Sequence, residues 1–129
     1  MAMVELSIPP RSAYVGVVRL AVSSLARKAG LDEEVVDDLK IAVSEACTNA
    51  VEDTPGDDPI SIRWMEEDDR VTIEIADRRP SSNAEDPLDT QGFSTRLTMS
   101  LALLESLVDS FELTAREGGG YCTRLVVNR

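Results

Sequence analysis

Val4, Leu6 and Ile8 alternate with polar residues, which predicts a short half-buried strand closed by Pro9 and Pro10. The apolar spacing then lengthens. Val15, Val18, Val22 and Leu25 recur at helical intervals, with Ser12 placed to cap the helix and Gly30 to end it. Asp32 opens a second helix, with Glu33 and Glu34 in the first turn, where the helix dipole favours negative charge. Its stripe is Val36, Leu39, Val43, Ala46 and Ala50, stepping by three and four toward a core. After Thr54-Pro55-Gly56 the period falls to two. Ile60, Ile62 and Trp64 share one strand face and Val71, Ile73 and Ile75 another, and the acidic turn Glu66-Glu67-Asp68-Asp69 makes an antiparallel hairpin the simplest link.

From Arg78 to about Thr95 no period is sustained, and Pro80, Pro87 and Gly92 interrupt the stretch, as in a long binding loop, lid or disordered segment. Leu97, Leu101, Leu104 and Val108 predict a third amphipathic helix. A last hairpin pairs Phe111–Arg116 with Tyr121–Val127 through Gly118-Gly119-Gly120. No internal repeat or linker is visible, so residues 1–129 read as one domain. Helices segregated from paired strands imply an α+β fold, a two-layer sandwich with a mostly antiparallel sheet.

Composition narrows the function. Hydrophobic residues make up 43% of the chain and aromatics 4%, so the core must be built from Val, Leu, Ile and Ala. Against 24 acidic residues stand 13 basic ones, a formal charge of −11. That field repels phosphate backbones and anionic lipid, so no direct nucleic-acid or membrane partner is expected; a basic protein surface or a cation suits it. Histidine is absent, which removes imidazole-based nucleophilic catalysis, imidazole zinc sites and phosphohistidine chemistry. Cys47 and Cys122 are too few for a disulfide scaffold and read as free thiols. No apolar run approaches the roughly 20 residues of a membrane span, and the N-terminus lacks a basic-then-apolar leader. A reducing cytoplasm is the expected compartment.

The segment that bears chemistry is 42–51. Glu45 and Asn49 stand four apart on the second helix, so they project from one side, roughly 80–120° from the centre of the apolar stripe at about 100° per residue. Ala42, on the same flank, is small and is expected to leave space. An acid beside an amide can hold a divalent cation, because Mg²⁺ prefers hard oxygen ligands and water; an ordinary solvated flank fits the same spacing. Asp38, Glu45 and Glu52, spaced by seven, read as a solvated acidic face or as a cation or partner site. Trp64 fits sheet packing better than ligand stacking, and the triple glycine fits a hairpin turn better than a phosphate cradle.

The run S-E-A-C-T-N-A-V at 44–51 resembles the N-box of the GHKL (Bergerat-fold, histidine-kinase-like) ATPases, most closely the bacterial anti-sigma factor and serine-protein kinase branch. The element order fits as well. So do Ile75-Ala76-Asp77 at a strand end, the helix end at 104–109 and the Gly-rich closing hairpin with Thr123. The resemblance implies ATP and Mg²⁺ as cofactors, with Glu45 as general base, Asn49 as metal ligand, Asp77 on the adenine amino group and Thr123 at the nucleotide. It also implies three helices on one face of the sheet, a sigma factor and an anti-anti-sigma (STAS) protein as partners, and a homodimer.

Two boxes depart from the family pattern. Where D-x-G-x-G is expected, the chain reads Asp77-Arg78-Arg79-Pro80-Ser81, and where G-x-G opens the third helix it reads Thr98-Met99-Ser100. Non-glycine residues forced into such phosphate-approaching loops cost on the order of 1–3 kcal/mol each. Arg78 and Arg79 can compensate with charge. Asp53 stands where many relatives carry histidine. The expected function is therefore an anti-sigma-like regulator with weakened or lost ATP binding; the alternative is an active Mg·ATP-dependent protein-serine kinase acting on a STAS-domain antagonist.

Overall fold

The structure, a computed structural model, describes residues 2–78 and 91–129, the side chains of 91–98 excepted. Strand β1 (Ala2–Ile8) stops at the two prolines, one of which would already remove a ladder donor. Ser12 does not cap the first helix. It opens a 3₁₀ turn (Ser12–Tyr14) closed by the Tyr14 N–H donating to the Arg11 carbonyl, and α1 (Val15–Lys28) follows directly. At its far end Gly30 adopts φ +82°. The N–H of Gly30 donates to the Arg27 carbonyl and that of Leu31 to the Ala26 carbonyl, a Schellman stop that only a residue tolerant of positive φ makes cheaply.

Asp32, extended in backbone, precedes α2 (Glu33–Asp53) as expected but makes no side-chain cap bond. All five stripe residues of α2 are buried, and so are Ala42 and Cys47. Ala42 therefore belongs to the core rather than to an open flank. The buried arc spans roughly 140° at 100° per residue, wider than a narrow seam, because α2 contacts both neighbouring helices and the sheet.

Strands β2 (Ile60–Glu66) and β3 (Arg70–Ala76) form the expected hairpin, with Ile62 opposite Ile75 and Trp64 opposite Ile73. The third helix, α3 (Gln91–Leu107), begins earlier than the hydrophobic pattern indicates. Its first five residues, Gln-Gly-Phe-Ser-Thr, hold one large apolar side chain, too few to reveal a period. Arg79, Pro80 and Ser81, with the rest of the expected loop to Thr90, lie outside the described residues. Strands β4 (Ser110–Ala115) and β5 (Tyr121–Asn128) close the chain.

The sheet runs β1-β2-β3-β5-β4 with every pairing antiparallel, and the three helices cover one face. Trp64, Ile73, Leu125, Leu39, Val43 and Leu104 meet in a single core. The opposite face carries ion pairs instead: Arg63 lies between Glu5 and Glu74, and Arg124 bonds Glu74. Such exposed pairs contribute little each. Trp64 packs in the sheet, its indole N–H reaching Glu66 at 3.4 Å.

Cys47 is fully buried, and desolvation pushes its thiol up to about 12. Unfolded, a thiol ionises near 8.5. The unfolded state therefore releases this proton first, so the contribution is complete below about pH 8.5 and is lost as pH rises toward 12. Urea midpoints measured from pH 8 to 10.5 are expected to fall more steeply for the native chain than for Cys47→Ala.

Candidate nucleotide and metal site

Two elements set the geometry: the middle of α2, and the sheet end where β3 gives way to residue 77. On α2, Glu45 and Asn49 are both half-buried, one turn apart. Asn49 faces α3. Its Nδ2 donates to Ser100 Oγ at 2.6 Å, and Ser100 is itself buried. The bond commits the amide nitrogen to α3 and leaves the oxygen as the group suited to a cation. That oxygen is a hard donor of the kind Mg²⁺ takes alongside water and phosphate, so the residue fits the ion.

Glu45 points elsewhere. It lines a concavity of about 470 Å³ between α1 and α2, with Arg19, Asp37, Lys40, Ile41, Ser44 and Thr48, and neither Asn49 nor Asp77 lines it. Arg19 donates to Ser44 Oγ at 2.8 Å there.

Asp77 has no exposed surface. It extends the β3–β5 pairing by one residue: its N–H donates to the Tyr121 carbonyl at 2.9 Å, and Tyr121 N–H donates to its Oδ1 at 3.1 Å. Arg116 donates to its carbonyl oxygen at 2.7 Å. Thr123, two residues further along β5, is buried on the helix-facing side opposite Ile75. Asp77 and Thr123 therefore share one end of the sheet, while Asn49 and Glu45 stand in the helical layer above.

Thr98-Met99-Ser100 sits well inside α3 rather than at its start. Backbone N–H groups there are taken up by the helix ladder, so they cannot form a phosphate-facing loop. Two contributors escaped the sequence reading. Ser100 appeared there only as a lost glycine, with nothing local to reveal Asn49 as its partner. Gly120 appeared as one of three turn glycines, yet a Cβ on it would overlap the Asp77 carbonyl oxygen.

This antiparallel sheet under three helices, with an acid and an amide on the central helix and a buried strand-end aspartate, is the layout of an ATPase domain of the histidine-kinase type. The family described as "Histidine kinase-like ATPase domain" matches residues 8–127. The chain is 33% identical to the serine-protein kinase RsbW of Bacillus pumilus over 141 residues, covering 98% of this chain and 87% of that one. It is 32% identical to the Bacillus subtilis RsbW, over 89% of this chain and 79% of the relative. The solved RsbU and RsbW domains of Rv1364c from Mycobacterium tuberculosis share its fold, with TM-score 0.75 and 20% identity, over 100% of this chain and 33% of that one. The chain belongs to the histidine kinase-like ATPase family, in its RsbW (anti-sigma factor and serine-protein kinase) branch. Among the described residues, no helix is long and apolar enough to cross a membrane.

Proposed function

We propose that the chain is a regulator of the RsbW type that holds an alternative sigma factor and is itself captured by a STAS-domain antagonist, with ATP binding weakened relative to its kinase relatives. The observation that carries the weakening is the helical placement of Thr98-Met99-Ser100, which removes a backbone nest for phosphate. Closure of Asp77 supports it. The partner roles rest on membership of the branch, and the −11 charge suits basic partner surfaces.

A second reading, an active protein-serine kinase, is favoured by the Asn49–Ser100 bond. It leaves an amide oxygen suited to Mg²⁺, while Glu45, the carboxylate that would accept a serine proton, lines the α1 side and would have to turn toward the ion. The ion, when bound, would neutralise phosphate charge, and positioning would supply most of the remaining catalysis.

Calorimetric titration with Mg·ATP separates the two. Absence of binding at millimolar ATP upholds the weakened site. Micromolar binding that falls about a hundredfold in Asp77→Asn overturns it and establishes the kinase, since an amide there sets a donor against the adenine amino group. Asp77→Asn keeps an acceptor for Tyr121 N–H, and a urea midpoint measured on the variant checks that it folds. Glu45→Ala is expected to change stability by less than about 0.5 kcal/mol, because the side chain is only half-buried on a flank. In the kinase reading the same variant abolishes phosphorylation of the purified STAS protein, followed by mass spectrometry.

A further inference from the structure

Ahead of Leu104, Ser100 is the one fully buried side chain of α3 among those described; Met99 beside it and Leu103 further on are 69% and 39% exposed. A serine in that place brings little apolar area to the contact with α2, so its hold depends on what the hydroxyl bonds. The hydroxyl accepts from Asn49 Nδ2 at 2.6 Å, inside the roughly 2.9–3.0 Å usual for an N–H···O bond. Only 3% of Ser100 is exposed, so water is poorly placed to take over from Asn49.

The bond joins two things a bound nucleotide would use. One is Asn49, whose amide oxygen suits Mg²⁺. The other is the backbone of α3, which runs helically from Gln91 through 98–100 to Leu107. While that ladder is intact, the N–H groups at 98–100 donate to carbonyls one turn back. Unwinding the front turns would free them, because the first N–H groups of any helix lack an internal acceptor and can meet an anion. Compared with a glycine, Ser100 opposes this unwinding twice: it favours the helix and it supplies the acceptor for Asn49.

We infer that Ser100 sets the nucleotide affinity of this chain: through its bond to Asn49 it latches the front of α3 to α2 and keeps 98–100 helical. The inference rests on the proposed site of weakened ATP binding and names the residue responsible. A nucleotide that needs the unlatched form binds with an apparent affinity lowered by the fraction of molecules in that form. Ser100 acts through Asn49 and the α3 backbone, so it is a positioning residue. Its removal should strengthen binding, which loss of a merely structural contact would not do.

The test is an NMR titration of the full native chain, Ser100→Ala and Ser100→Gly with Mg·ATP, carried to tens of millimolar so that weak binding is measured. Before nucleotide is added, the Asn49 side-chain amide resonance should shift in Ser100→Ala, and backbone amides at 98–103 should exchange faster. The Kd is expected to fall about three- to tenfold in Ser100→Ala, the shift that loss of one neutral hydrogen bond produces. It should fall further in Ser100→Gly, which also loosens the helix. A urea midpoint on each variant checks that it folds, and Ser100→Ala alone suffices if the glycine variant does not. Unchanged or weaker binding by Ser100→Ala, no binding by it at tens of millimolar, or an unmoved Asn49 amide overturns the inference. The ratio of variant to native Kd tests the latch, whereas the native value tests the proposed function, so either fails without the other. Micromolar native binding overturns the weakened site; an unchanged ratio overturns only the latch.

Discussion

Gly120→Ala is expected to lower stability by about 3 kcal/mol or more, and the loss should appear as a large shift in the urea midpoint or as failure to fold. Gly120 holds φ +93°, a conformation that alone costs a residue with a Cβ about 1–2 kcal/mol. The added methyl would also overlap the Asp77 carbonyl oxygen and lie 2.9 Å from Arg78 Cα. These are backbone atoms, so no flexible tip can move aside. Separating them means parting β3 from the closing hairpin. That strains the Asp77 N–H bond to the Tyr121 carbonyl and the Arg116 N–H bond to the Gly120 carbonyl. Gly119 is the control: its φ is +108°, but a Cβ there meets nothing within 4 Å. Gly119→Ala should show the conformational penalty alone, about 1–2 kcal/mol. Equal losses at the two positions would mean that Asp77 and Gly120 are not in contact, and the buried carboxylate would lose its fixed place.

That contact marks the boundary of what local pattern can reveal. Periodicity reports which side of an element is buried, so Val36, Leu39, Val43, Ala46 and Ala50 on α2, and the Trp64–Ile73 and Ile62–Ile75 pairs, were legible before any fold was in view. The element order followed from the same periodicity, and the family from the N-box run taken with that order and the strand end at Asp77. Periodicity carries no information about which distant element arrives on a flank. Ala42 therefore read as open, although α2 is covered across a broad arc. The Asn49–Ser100 bond spans 51 residues and joins two helix sides with no shared pattern. The early start of α3 was hidden because residues 91–95 offer a single large apolar side chain, and helices can begin on weak local signal when their later turns are held by packing, here through Leu104. The acid–amide pair was legible as a pair, yet the two side chains face different neighbours: Glu45 the α1 side, Asn49 the α3 side.

Leu39→Ala should cost about 2–5 kcal/mol in urea unfolding, against a near-neutral Glu45→Ala on the same helix. Leu39 has no exposed surface and lies in the central core with Val36, Val43, Trp64 and Leu125. Truncation removes the transfer free energy of three carbons and adds a cavity term. The cavity cannot readily collapse, because α2 is held between α1, α3 and the sheet. Against a total stability of roughly 5–15 kcal/mol, the loss is a large fraction. A drop below about 1 kcal/mol would mean that α2 is rotated from the position described. That rotation would also turn Asn49 away from Ser100, so the one measurement bears on the core and on the cation-facing amide together. If the cost is large and Glu45→Ala is neutral, the helix is fixed by its apolar arc, and the flank carrying Glu45 and Asn49 is left to vary with function.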